Sequence, residues 1–238
     1  MSATLYGIPA SHPVHATALM LRRKGVAYRR IDLPQWFHRP MLRLLRFPGT
    51  TVPALVLDGR RTQTTKAIAR ALDEVQPEPR LVPDDPRVAE IETWCDGDFQ
   101  QMGRRLVYWA LVRHGEAVDS YLEGSHLILP RFMVRPLAPV IIRVLSREHE
   151  SRDEAVRQDL AALPGLLDRI DGWIADGVLG GDEPNVADYQ VATSLALLMS
   201  HDDLRPLIAA RPAGQLAERI APDYPGQMPP AFPPAWLP

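Results

Sequence analysis

The side chains able to do chemistry in this chain are few and widely spaced. Ser11 stands between a strand candidate and a helix that Pro13 can open, since proline is tolerated at a first helical position. Tyr6 lies within the preceding strand candidate and reads as a strand tyrosine. Cys95 is the only cysteine, which excludes an internal disulfide and fits a reducing compartment such as the cytoplasm. Beside Trp94 in an apolar helical pattern, Cys95 reads as a packed small hydrophobe rather than a redox centre. The seven histidines show no metal-ligand spacing. His12 and His15 are three apart, but no third ligand follows, so no metal is expected. Threonines 50, 51, 62, 64 and 65 crowd both sides of an apolar strand, ALVLDG, that opens on Pro53. A proline cannot donate a ladder hydrogen bond, so it belongs at a strand start, an edge or a bulge. Pro53 therefore either starts a strand or holds a backbone turn that a ligand uses.

The elements that must position these residues fall into two groups. Residues 4–8 form a short strand candidate, and residues 15–24 continue the helix opened at Pro13 until Gly25. Residues 27–33 alternate as a strand and 40–46 read as a short helix. Residues 54–57 and 60–63 are strands joined by Asp58-Gly59, a strong hairpin signal. From Thr65 to Val75, Ala67, Ile68, Ala71, Leu72 and Val75 share one helical face. The first 76 residues thus read β-α-β-α-β-β-α, a small α/β domain. Residues 77–86 are a proline-rich linker. Beyond it strand signals vanish, and helical patterns cover about 87–114, 134–147, 152–175, 186–200 and 206–220. Residues 87–221 are therefore an all-helical domain, and 222–238 an extended proline-rich tail whose Phe232 and Trp236 should pack on the body.

Composition narrows the function. With 46% hydrophobic and 24% charged residues in 238, the chain is an ordinary globular protein able to bury a core. A net charge of −2 gives no case for nucleic acid. The N-terminus lacks the basic start and apolar run of a secretory signal. Residues 127–145 are apolar, but Arg131, Arg135 and Arg143 interrupt them too often for a transmembrane helix. Arginines on an apolar stretch could lie on a membrane surface. Pro136 and Pro139 argue against a long amphipathic helix there, so membrane binding is not expected. The stretch reads instead as a lengthened connection that covers a cleft.

Several of these segments resemble the glutathione transferase superfamily, in its soluble, theta-like, serine-type form. "LYGIPASHPVHATALMLRRKGVAYRRIDL" resembles the opening of those classes nearly position by position. "TVPALVLDG" followed by "TTKAIARAL" resembles the strand, hairpin and third helix. "GGDEPNVADYQVA" resembles the buried start of a core helix, with Asn185 as cap and Asp188 at the third helical position. The resemblance spans about residues 3–200 and implies a thioredoxin-like N-terminal domain followed by an all-α C-terminal domain, usually as a homodimer.

The resemblance also implies roles. Glutathione would be the co-substrate, and a small electrophile the acceptor. Val52-Pro53 would be a cis peptide that presents the Val52 backbone to the thiol's cysteinyl part. The Ser11 hydroxyl would donate to the sulfur, with Tyr6 as the alternative used by other classes. A free thiol with a pKa near 8.5 is only about a few per cent ionised at pH 7. Lowering it two units needs about 2.7 kcal/mol of preference for the anion. One hydrogen bond to a charged group supplies roughly 1.5–3 kcal/mol, and a helix N-terminus about 0.3–1 more. His38 and Arg39 lie where the family places basic contacts. Gln101, Arg105, Tyr108 and Trp109 would face the electrophile from the helix that begins near residue 87.

The chain also departs from the pattern. Thr51 replaces a frequent lysine that meets the glycine carboxylate. Thr64-Thr65 replaces the Glu-Ser that holds the γ-glutamyl group, so Thr65 keeps a hydroxyl but Thr64 brings no charge. Two charge-assisted contacts are lost, a factor of roughly 10²–10⁴ in affinity if nothing substitutes. Gln63, His38 and Arg39 are the nearest substitutes. The same departures fit two alternatives: a related low-molecular-weight thiol in place of glutathione, or a ligand-binding protein without glutathione chemistry.

Overall fold

The computed structural model describes residues 2–238. The N-terminal domain runs β1 (Ala3–Gly7), α1 (His12–Arg23), β2 (Tyr28–Asp32), α2 (His38–Leu44), β3 (Ala54–Leu57), β4 (Arg60–Gln63) and α3 (Thr65–Val75). The four strands order β2-β1-β3-β4, with β1 parallel to β2 and antiparallel to β3. This is the expected thioredoxin-like arrangement, and each cause is local. β1 buries Ala3, Leu5 and Gly7 on one face. A Cβ on Gly7 would lie 2.5 Å from Val14 Cγ1, so the glycine lets α1 cross close over the sheet. Asp58 and Gly59 both have positive φ, the turn whose twist matches a two-residue hairpin.

The proline-rich segment is tied down rather than loose. Asp73 of α3 accepts from the backbone N–H groups of Leu81 and Val82 at 3.0 and 2.9 Å. It also accepts from the buried Lys24 ammonium at 2.6 Å. Lys24 Nζ donates in turn to the Gln76 carbonyl at 2.5 Å. One of the chain's two lysines is therefore spent fixing the exit from the first domain.

The helical domain comprises α4 (Pro86–Trp94), α5 (Gln100–Arg113), α6 (Val118–Tyr121), α7 (Arg131–Val134), α8 (Ala138–Glu148), α9 (Asp153–Ala175), α10 (Val186–Met199), α11 (Arg205–Ala209) and α12 (Pro212–Ile220). A single π turn, Cys95–Phe99, joins α4 to α5. Every residue of α10 is buried. Its start is the expected capping box: Asn185 Oδ1 accepts from the N–H of Ala187 and Asp188, while Asp188 Oδ2 accepts from the N–H of Asn185. Asp188 Oδ1 accepts from Gly180 N at 2.7 Å as well.

Two expected helices are each broken. The pattern at 134–147 splits because Pro136 sits in a 3₁₀ turn between α7 and α8, where it cannot donate to a continuing helix. The pattern at 206–220 splits before Pro212 for the same reason and resumes with proline in its first turn.

Between α6 and α8 the chain returns to the first domain. Asp32 N donates to His126 O at 2.9 Å, Ile128 N donates to Asp32 O at 3.2 Å, and Asp32 Oδ2 accepts from His126 N at 2.9 Å. The insertion thus covers the free edge of β2 and ends in α8. The tail packs on the body as expected. Phe232 stacks on Trp109 with ring centres 5.4 Å apart, and Asp203 Oδ2 accepts from the N–H groups of Ala231 and Phe232. The Tyr224 hydroxyl donates to Ala10 O at 2.6 Å, next to Ser11. Among the described residues no helix is long and apolar enough to cross a membrane.

Candidate functional site

A cleft of about 360 Å³ opens between the two domains. Ser11 enters it from the N-cap of α1, with extended backbone (φ −74°, ψ 115°). Its carbonyl accepts from His15 N at 2.9 Å, but its side chain caps nothing. A serine at that position usually spends its hydroxyl on the helix N–H groups. Here the hydroxyl is left for whatever lies in the cleft, beside the positive end of a twelve-residue helix.

Facing this end are Thr51 and Val52. The Val52-Pro53 peptide is cis, as the resemblance implied. Gln63 holds the loop before it: its Oε1 accepts from Gly49 N at 2.6 Å and its Nε2 donates to Thr51 O at 2.8 Å. Gln63 is therefore occupied, and does not replace the missing lysine. Thr64 has φ 71°, unusual for a β-branched residue. Its backbone N donates to Pro53 O at 3.2 Å, and its side chain accepts from Ala67 N, capping α3. Thr65 is buried. Pro53, Thr64 and Thr65 thus support this end without lining the open cleft.

His38 and Arg39 line the cleft. His38 Nδ1 contacts Gln35 O at 2.6 Å, and burial holds its pKa below the ordinary value, with the Gln35 carbonyl opposing. Arg39 is paired with Glu148 at the end of α8. Tyr6 packs edge-on against Phe47 in a separate cluster on the other side of the sheet and does not reach the cleft.

Of the four residues expected from α5, only Tyr108 lines the cleft. Its hydroxyl accepts from Gln35 Nε2 at 3.1 Å, its ring stacks on His149 with centres 5.1 Å apart, and burial pushes its pKa up to about 12. Gln101 instead donates to His149 O at 3.2 Å, a clamp on the loop after α8. Arg105 pairs with Asp159 of α9 at 2.7 Å. Trp109 is buried, donating to Asp153 at 2.8 Å beneath the tail. The face that meets the cleft is Arg104, Val107, Tyr108 and Leu111, spaced i, i+3, i+4, i+7. Arg105 and Trp109 each lie one residue, about 100° of helix, past Arg104 and Tyr108, which turns them to Asp159 and Asp153 of α9.

Sequence reasoning missed Arg104, His12, Gln35 and His149, all of which line the cleft. Arg104 and Arg105 are adjacent arginines on one helix, so residue type alone does not mark one over the other. Burial, and then the nearby Arg104, hold the His12 pKa well below its usual value and lower that of His149. Both rings are neutral at pH 7. Cys95 is fully buried and its thiol is pushed well up by that burial, so it is not a nucleophile.

Residues 5–80 match the family described as glutathione S-transferase, N-terminal domain. Among solved structures, a glutathione transferase from Phanerochaete chrysosporium aligns with a TM-score of 0.66 at 18% identity, covering 93% of this chain and 96% of that one. A GST-like protein from Pseudomonas syringae aligns with a TM-score of 0.63 at 19% identity, covering 97% and 70%. A glutathione S-transferase from Ceriporiopsis subvermispora, solved in complex with glutathione, aligns with a TM-score of 0.58 at 17% identity, covering 92% and 95%. A sequence search of curated proteins finds no match. The match to the glutathione S-transferase N-terminal domain family is confined to residues 5–80, and the whole chain shares the two-domain fold of these solved glutathione transferases.

Proposed function

We propose that the chain binds glutathione, or a related low-molecular-weight thiol, with its sulfur at Ser11, and transfers it to an electrophilic small molecule held against α5 and α8. The observation that carries this reading is the uncommitted Ser11 side chain at the N-terminus of α1, across from Val52 and its cis peptide. A hydroxyl donor and a helix N-terminus both favour the thiolate over the thiol. The solved relative holding glutathione supports the same co-substrate. The N-terminus of α3 offers backbone N–H groups to a carboxylate in place of the missing charges. A homodimer acting in the reducing cytoplasm belongs to the same reading.

In the reaction, the thiolate sulfur forms a bond to an electrophilic carbon, the carbon's bond to its leaving group breaks, and the thiol proton goes to solvent. With 1-chloro-2,4-dinitrobenzene the leaving group is chloride. Conjugation should depend on both thiol and protein, and Ser11→Ala should lower kcat/KM by about 10- to 100-fold, the worth of one hydrogen bond to a charged group. A Ser11→Ala protein as active as the parent would refute the role given to Ser11. Tyr6→Phe should leave the rate unchanged.

A further inference from the structure

Arg104 is a partly buried cation facing an apolar cleft. Among the described residues no carboxylate pairs with it, and its one side-chain hydrogen bond is the 2.7 Å donation to Gln100 Oε1. Glu148, the carboxylate that also lines the cleft, is taken by Arg39. Buried polar groups left without partners are rare and costly, and a buried guanidinium is normally paired. Much of the remaining cleft wall is apolar: Leu122, Leu127, Val134, Ile141, Ile142 and Leu145. A guanidinium that lines an apolar cleft with no carboxylate partner calls for an anionic ligand atom.

We infer that the acceptor end of the cleft binds an anionic group, with Arg104 as its counter-ion. The second substrate is then an apolar body carrying a carboxylate, and this inference rests on the proposed function for the reaction such a molecule undergoes. Tyr108 and His149, stacked beside Arg104, supply a flat surface suited to an aromatic or unsaturated acid. Burial lowers the pKa of Arg104 only from a value far above neutrality, so it keeps its charge at pH 7.

The test is a binding comparison without any thiol, so that it survives failure of the proposed transferase reaction. Titration of the full chain with 3,5-dinitrobenzoate and with 1,3-dinitrobenzene, followed by calorimetry, should show the acid bound about tenfold more tightly or better. Arg104→Gln should abolish that preference, Arg104→Lys should keep part of it, and Ser11→Ala should leave it whole. Equal affinity of the wild-type chain for the two probes would overturn the inference. So would a preference that survives in a folded Arg104→Gln protein, with folding checked by thermal melting. The anion could instead come from the thiol's own carboxylate. Glutathione affinity in Arg104→Gln should stay within about twofold of wild type, and a tenfold loss would overturn the assignment to the second substrate.

Discussion

At the Ser11 end of the cleft the protein presents mostly backbone: the N-terminus of α1 and the Val52 peptide. At the α5–α8 end it presents side chains: Arg104, Tyr108, His149 and the apolar wall of the insertion. On the proposed reading, the contrast is what lets the first end carry threonines where charged residues would be usual. Its geometry comes from chain path, which is set by Pro53, by Gly7 beneath α1, by the Gln63 hold on the Thr51 carbonyl and by the Thr64 cap of α3. The second end has no such reserve. Its character depends on which residues of one helix face inward and on how the insertion is anchored.

The largest effect should come from cutting that anchor. Asp32 is fully buried, pairs with Arg30 at 3.0 Å and holds His126 to the edge of β2. Removing a buried, hydrogen-bonded carboxylate leaves its partners unpaired. Asp32→Ala should therefore cost about 3 kcal/mol of stability in urea denaturation. It should raise the acceptor KM while thiol affinity changes little. Equal losses at both ends would mean that they are not built independently.

Acid should weaken the cores beneath both ends. Burial holds His15 of α1 down to about 4 and His201, beyond the end of α10, down to about 3. Both are neutral when folded and take up a proton below about 6.5 once unfolded. The unfolded chain thus binds more protons, so stability falls with pH from about 6.5 towards those values. Between pH 7 and 5 each should remove roughly 2 kcal/mol. Urea midpoints at pH 7, 6 and 5 would show it, and a flat profile would mean that protons reach the rings in the folded state.

The smallest change sharpens the tolerance of the Ser11 end. Restoring a carboxylate with Thr64→Glu should tighten glutathione by about tenfold through one charge-assisted contact. It should leave acceptor affinity unaltered. Weaker glutathione binding by a folded Thr64→Glu protein would mean that the thiol's ammonium group does not lie there.

The same division decided what could be read from sequence. The βαβαββα order, the hairpin at Asp58-Gly59, the Asn185 cap and the cis Val52-Pro53 peptide were legible because each rests on local residue chemistry or a local resemblance. Ser11, His38, Arg39, Thr51, Val52 and Tyr108 do come together around one cleft. Gln101, Arg105 and Trp109 do not, because they are held by partners distant in sequence, His149, Asp159 and Asp153, that no local pattern encodes. The pairing of Asp32 with His126 joins residues 94 apart, a contact no local pattern encodes. Prolines at 136 and 212 broke two helices that apolar periodicity alone made continuous.

The account's central claim is that this cleft holds a thiol at Ser11 despite Thr51 and Thr64. Calorimetric titration of the full chain with glutathione tests it most directly. The account predicts saturable binding with Kd between micromolar and low millimolar, about −8 to −4 kcal/mol. Absence of binding by the wild type, with affinity appearing in Thr64→Glu, would contradict it: the fold would have kept the cleft but not the glutathione.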